Sequence, residues 1–151
     1  MEIASFERIE DEFMERIRMV VWCNMATVDA RERPRSRVVH PVWDGPVGWL
    51  WTRRETLKAR HIARNPHVSL AYVADVAKPV YIDCTAEWAE DVEDKQRIWD
   101  YTESLAPPFG YDPEPIYGYP DNPKFGLLRL TPWRLELCNL PNESLVWHER
   151  L

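Results

Sequence analysis

Five glycines in 151 residues leave the chain poor in the residue on which most phosphate-binding loops depend. Neither G-x-G-x-x-G nor G-x-x-x-x-G-K-[ST] occurs, so the usual dinucleotide and P-loop routes to a nucleotide are closed. No run of about 18 apolar residues is present, and no membrane span is expected. The start, MEIASFERIEDEF, is acidic and amphipathic where a secretory signal would be basic and then apolar. There is no C-x-x-C pair. Cys23, Cys84 and Cys138 are odd in number and far apart, which suits free thiols in a reducing, cytoplasmic setting rather than a disulfide framework. His40, His61, His67 and His148 lack metal-ligand spacing, and all four read as structural or surface residues. No G-x-S-x-G elbow activates Ser36, Ser69 or Ser104. Cys84 lies between Asp83 and Thr85, which disfavours its thiolate. No catalytic side chain and no metal site are therefore expected.

What the chain does have is an uneven charge distribution. Residues 31 to 64 hold nine cations (Arg31, Arg33, Arg35, Arg37, Arg53, Arg54, Lys58, Arg60, Arg64) against Glu32, Asp44 and Glu55, a net +6. The whole chain carries −6, so the remainder carries −12. Counterion release on nucleic acid needs a broad basic surface, so no nucleic-acid partner is expected, and an RNA-stacking barrel using Trp and Arg is disfavoured. A compact basic island in an acidic body suits a small anion.

The pattern along the chain predicts one domain over 1–151. Phe6, Ile9, Phe13, Ile17 and Val20 make one stripe of a helix over 5–21, with Ser5 as N-cap, lying against the outside of a sheet. Runs at 20–28 and 35–43 read as a hairpin around a polar turn at 29–34, with Pro41 at an edge or bulge. A strand over 47–52, a basic helix over 56–65 ended by Pro66, and strands from 68 and 80 follow. Residues 92–105 suit a helix that turns Val92, Ile98, Trp99, Thr102 and Leu105 inward. Residues 106–123 carry six of the thirteen prolines along with Phe109, Tyr111, Tyr117 and Tyr119. A loop of that length and aromatic content reads as an ordered active-site cover. KFGLLRLTPWRLELCNL predicts a strand pair bent at Thr131-Pro132. Six or seven strands in hairpin order with one crossover helix give a mainly β, small barrel fold with flanking helices.

The stretch VGWLWTRRETLKARHIARNPH, 47–67, carries the candidate site. Thr56 as N-cap places its hydroxyl beside the first free N–H groups of the helix, with Lys58 in the first turn and Thr52 and Arg53 just upstream. Such a group can hold a phosphate through charge-assisted hydrogen bonds. Spacing alone leaves a solvated basic helix equally open. Arg35 and Arg37, on alternate strand positions, share a face and could add to the same anion; for Arg35 a cross-strand ion pair with Glu87 is the stronger reading.

The hairpin MATVDARERPRSRVV, the unit WLWTRRETLKARHIARNPHVSLAYV, the strand YIDCTAEW and the closing FGLLRLTPWRLEL resemble the FMN-binding split-barrel family. That family includes pyridoxamine 5′-phosphate oxidase and the flavin/deazaflavin-dependent oxidoreductases, and the likeness spans about residues 15 to 140. Thr52, Thr56 and Lys58 match the family's T-x-x-x-[ST]-x-K phosphate pattern. The resemblance implies a six-stranded antiparallel split β-barrel and a homodimer with two cofactor sites at the subunit interface. It implies FMN, or the deazaflavin F420, with Arg37, Val38 and Val39 along the isoalloxazine and Trp51 beside the phosphate. Arg53, Arg54 and Leu57 complete the expected cofactor shell. A flavin-dependent oxidoreductase of a small redox substrate follows, and a non-catalytic flavin or haem carrier is the alternative. Cys138 stands where pyridoxamine phosphate oxidases place a tryptophan, and no matching arginine follows, which counts against vitamin B6 as substrate.

Overall fold

The computed structural model describes residues 1–149. A 3-10 turn, Phe6–Arg8, leads into α1, Glu10–Met19. The expected helix 5–21 is thus broken at Ile9, and the Ser5 side chain caps neither segment. Acids in the first turn of α1 and Arg16 and Arg18 in the last suit its dipole. Its stripe is fully buried at Phe13 and Ile17 and joins the core formed by the inward side chains of the strands. The Arg16 guanidinium donates to the carbonyls of Lys78 and Cys138 and pairs with Glu12. It thereby fixes α1 over one end of the sheet, inside the main core rather than on an outer face.

The strands are β1 (Glu2–Ile3), β2 (Cys23–Val28), β3 (Pro34–Val39), β4 (Val42–Asp44), β5 (Val47–Arg53), β6 (His67–Tyr72), β7 (Val80–Ala89), β8 (Phe125–Asn139) and β9 (Asn142–His148). Six of them form the antiparallel order β3-β2-β6-β7-β8-β5. β4 adds to β5, while β9 and the parallel β1 extend the far half of β8. Among the described residues no ladder joins β3 to β5, so the barrel is split there. The run 35–43 is accordingly two strands. Pro41, which has no N–H to donate, separates β3 from β4, and β4 takes β5 rather than β2 as its partner.

The expected strand pair at the C-terminal end is one 15-residue strand, β8. Its bend is a bulge: Cys84 faces Pro132, Asp83 faces Arg134, and Trp133 drops out of the ladder. Helix α2, Leu57–Arg64, crosses from β5 to β6, and α3, Val92–Ser104, follows β7. α3 packs on Trp49 and Trp51 of β5, forming a second cluster with Ile98, Trp99 and Leu127. Val92 is exposed, against expectation, and Lys95 takes the inward position instead. Burial of that ammonium is tolerated because Asp121 lies 3.0 Å away and Glu90 3.7 Å away. The 106–123 loop contains one further short helix, α4, Glu114–Tyr117.

All three cysteines are free and buried. Burial pushes the Cys23 thiol up to about 12 and moves Cys84 upward as well, which removes both as nucleophiles at neutral pH. Among the described residues no helix is long and apolar enough to cross a membrane, and no His, Cys, Asp and Glu cluster could hold a metal.

Candidate functional site

The split between β3 and β5 opens into a cavity of about 630 Å³, a size suited to a cofactor or small substrate. Val38 and Val39 of β3 form one wall, and Leu50, Trp51 and Thr52 of β5 form the other. Lys58 reaches the cavity from α2, and the 106–123 loop lines it through Pro107, Pro108, Gly110, Tyr111, Asp112, Ile116 and Tyr117. Alternation along β5 explains the wall. Leu50 turns into the barrel core, while Trp49 and Trp51 turn toward α3. Trp51 meets Trp99 edge-on at 5.5 Å and Tyr117 at 6.1 Å, and the Tyr117 hydroxyl donates to the Trp51 carbonyl at 3.2 Å. The loop is therefore pinned to the strand that carries Thr52.

At the junction of β5 and α2 the Thr56 hydroxyl accepts from Ala59 N at 3.2 Å, and the Arg60 N–H donates to the Thr56 carbonyl. The first N–H groups of α2, those of Leu57 and Lys58, are left without helical partners. Lys58 is half-buried and has no acid within ion-pairing distance among the described residues. Burial, and then the neighbouring Arg37 guanidinium, hold its ammonium below the usual lysine range. An uncompensated, partly desolvated cation beside a helix N-terminus and the Thr52 hydroxyl is a fit for a phosphate, and the apolar walls fit a planar ring. Trp51 Nε1, buried on this wall, lacks a hydrogen-bond partner.

The remaining expected residues divide. Arg37 stands behind the wall. Its Nη1 donates to Met25 O at 3.1 Å and to Thr27 Oγ1 at 2.7 Å. The Thr27 hydroxyl, accepting there, has its proton free for His61 Nδ1 at 2.8 Å, which makes His61 a structural core histidine. Arg53 lies exposed over the Phe125 ring, at 5.6 Å. Arg54 is committed elsewhere. It forks onto Glu90 at 2.8 and 3.1 Å, donates to Phe125 O, and lies over Trp88. Gly126 is required beneath this stack, since a Cβ there would stand 2.5 Å from the Trp88 ring. Leu57 is exposed and turns out of the cavity, toward a neighbouring surface groove. The expected Arg35–Glu87 pair does not form: Arg35 faces Thr27 across the hairpin, and Glu87 meets Arg129 at 3.8 Å.

Trp22 and His40 are cavity residues that spacing did not single out. His40 lies between Trp22 at 5.0 Å and Tyr111 at 5.1 Å, and its Nε2 is 3.1 Å from the Phe109 carbonyl. A carbonyl only accepts, so Nε2 carries the proton and Nδ1 is the bare nitrogen. The available signal was alternation along β3, which puts His40 on the face of Val38. Burial lowers the His40 pKa below its usual 6.5. Its folded value is thus depressed relative to the unfolded chain, and the neutral ring is the stabilising form. Stability is expected to be flat above about pH 6.5 and to decline as pH falls through that value. Urea melts at pH 7.5 and 5.5 check this, with the difference shrinking in His40→Gln.

Gly110 sets how closely the loop docks. A Cβ there would stand 2.5 Å from the Thr102 carbonyl oxygen, a backbone atom of α3 that cannot move aside. Gly110→Ala is expected to destabilise by roughly 1–3 kcal/mol and to raise protease sensitivity within 106–123, measured by melting and limited proteolysis.

A family model described as pyridoxamine 5′-phosphate oxidase matches residues 9–139. No curated protein matches the chain. Among solved structures, it is similar to a pyridoxamine 5′-phosphate oxidase-related, FMN-binding protein of Nostoc punctiforme, with 17% identity over 98% of this chain and 92% of that one, at TM-score 0.70. It is similar to the haem storage protein HutZ of Vibrio cholerae, with 21% identity over 89% and 99%, at TM-score 0.66. A Clostridium acetobutylicum protein related to general stress protein 26 aligns at 18% identity over 94% and 95%, with TM-score 0.73. At these identities the likeness establishes the fold.

Proposed function

Because the chain belongs to the pyridoxamine 5′-phosphate oxidase family, we propose that its cavity holds FMN and that the protein is a flavin-dependent oxidoreductase of a small redox substrate. The observation that carries this reading is Lys58: a half-buried cation, without an acid partner, on the wall of a cavity otherwise apolar enough for a ring. Thr52, Lys58 and the free N–H groups of α2 bind the phosphate, Val38 and Val39 lie along the ring, and Arg37 adds positive potential from behind β3. A bound flavin supplies the electron transfer, so the chain itself needs no nucleophile. The 106–123 loop covers the site, excludes water and selects the substrate. F420, which also carries a phosphate, would use the same seat.

A homodimer belongs to the same reading. β3 is a terminal strand of the sheet, and Val38 beside the cavity is 60% exposed, an apolar side chain next to an open edge that a second copy would cover. Sedimentation of a monomer across micromolar concentrations would remove it.

His40 favours a second reading, a haem carrier, since it is an imidazole on the cavity wall. Ligation would require it to leave Phe109 or to use Nδ1. Purified protein distinguishes the two by its absorbance spectrum and by mass spectrometry of the released ligand. A flavin spectrum, or its recovery on soaking with FMN, is expected. A colourless protein that takes up neither FMN, F420 nor haem would exclude a cofactor site.

A further inference from the structure

Outside the cavity a cluster of arginines lies between the β2–β3 hairpin and the outer side of α2. Arg31, Arg33 and Arg35 from the hairpin, with Arg60 and Arg64 from α2, line a groove of about 360 Å³. The acid in its lining is Asp29, and Asp29 is already used. It accepts from Arg31 N at 2.8 Å and Arg33 N at 3.0 Å, and its second oxygen takes Arg33 Nη2 at 2.8 Å. Arg31, Arg35, Arg60 and Arg64 make no ion pair among the described residues. Glu32, at the hairpin tip, lines an adjoining depression with Arg31 and Arg64 and also makes none. Elsewhere Arg97 is matched by Asp44, Arg129 by Asp94 and Arg134 by Asp83 and Glu136, while Arg18 and Arg53 lie over the Phe109 and Phe125 rings. In a protein of net charge −6, four arginines without an acid partner around one concavity make a site suited to an anion.

The groove also adjoins the cavity. Leu57 lines the groove and Lys58, the next residue on α2, lines the cavity. Arg37 is close enough to both Arg35 and Lys58 for each pair to interact, so a row of cations links one concavity to the other. Guanidinium forks match phosphate oxygens bidentately, and four of them spread over both walls of the groove suit a ligand with more than one phosphate.

We propose that the groove of Arg31, Arg35, Arg60 and Arg64 is a second anion subsite that binds an oligophosphate. It accepts either the phosphate extension of the cavity ligand or a separate oligophosphate molecule. The groove stands without the flavin reading; only its connection to the cavity ligand rests on that reading.

Inorganic tripolyphosphate is the direct probe, titrated by calorimetry at fixed ionic strength against the wild-type chain and Arg60→Gln/Arg64→Gln. Both positions are exposed helix sites where Gln keeps helix propensity, and circular dichroism checks the fold. Arg35→Gln, on the opposite wall, repeats the test from the strand. The expected result is binding weakened at least about tenfold in each variant, with FMN affinity unchanged in the double variant. No binding to the wild type, or equal binding to the variants, overturns the proposal. So does competition with FMN that survives in the double variant, because the probe would then occupy Lys58. FAD against FMN separates the two sources. A preference of about tenfold for FAD that disappears in the variants makes the groove an extension of the cavity site. Equal flavin affinities with tripolyphosphate bound alongside FMN make it an independent site. Tripolyphosphate binding without uptake of either flavin would retire the flavin reading and leave the groove standing.

Discussion

Lys58→Ala is expected to bind FMN about 10- to 100-fold more weakly than the wild type, from the roughly 1.5–3 kcal/mol carried by a hydrogen bond to a charged group. Riboflavin, which lacks the phosphate, should bind both proteins alike. Fluorescence titration of the two ligands separates a lost phosphate contact from a disturbed cavity. The unliganded protein should show the opposite trend. Burial and Arg37 lower the Lys58 pKa from 10.5, so its charged form is a cost of folding that persists below the folded value. That cost is relieved as pH rises through the folded value toward 10.5, where the unfolded chain titrates. Removing the ammonium should therefore leave the apo melting temperature unchanged or slightly raised. In the wild type, FMN affinity should fall on the alkaline side as Lys58 loses its proton. Equal FMN affinity in Lys58→Ala would place the phosphate away from α2.

The parts of this site that could be read from sequence are those set by local rules. Thr56 caps α2 because a hydroxyl before a basic helical run is a start signal, and that start puts Lys58 in the first turn with Thr52 just upstream. The family resemblance supplied the split barrel, and the β3–β5 opening is where the cavity lies. What could not be read depends on distant residues meeting. Arg54 has the same type and neighbourhood as the phosphate ligands expected there, yet Glu90 and Trp88, more than thirty residues away, claim it. His40 looks like any strand histidine until Phe109 and Tyr111 arrive from the loop. Lys95 overrides the apolar stripe of α3 because Asp121 is folded back onto it. β8 reads as two strands because Pro132 resembles a stop, whereas the bulge opposite Cys84 absorbs it. In each case tertiary contact, not propensity, decides the outcome.

Trp43 is where those distant contacts concentrate, and Trp43→Ala is expected to destabilise the protein by about 3–5 kcal/mol, a large part of the stability of a domain this size. The side chain is fully buried and meets Phe13 of α1 edge-on at 5.1 Å. Its Nε1 donates to the Tyr72 hydroxyl at 2.9 Å, and its carbonyl accepts from the Tyr101 hydroxyl of α3 at 2.6 Å. Gly48 is placed beneath the ring, where a Cβ would stand 3.0 Å away. One side chain thus ties α1, the β4–β5 hairpin and the end of β6 into a single core, with its backbone holding α3. Alanine removes the ring and leaves a void too enclosed to refill, and the Tyr72 hydroxyl loses its donor. Trp43→Phe isolates the polar part: it keeps most of the apolar contact and should cost roughly 1–3 kcal/mol, for a Tyr72 hydroxyl without its partner together with the smaller ring. Denaturant melts by near-ultraviolet dichroism and tryptophan fluorescence measure both. A loss below about 1 kcal/mol for alanine would mean that α1 and the barrel do not share one core, since a shared core cannot give up its largest side chain so cheaply. A loss in the expected range, with FMN affinity of the still-folded fraction preserved, would place Trp43 in the scaffold and leave recognition to Lys58 and the walls of the split.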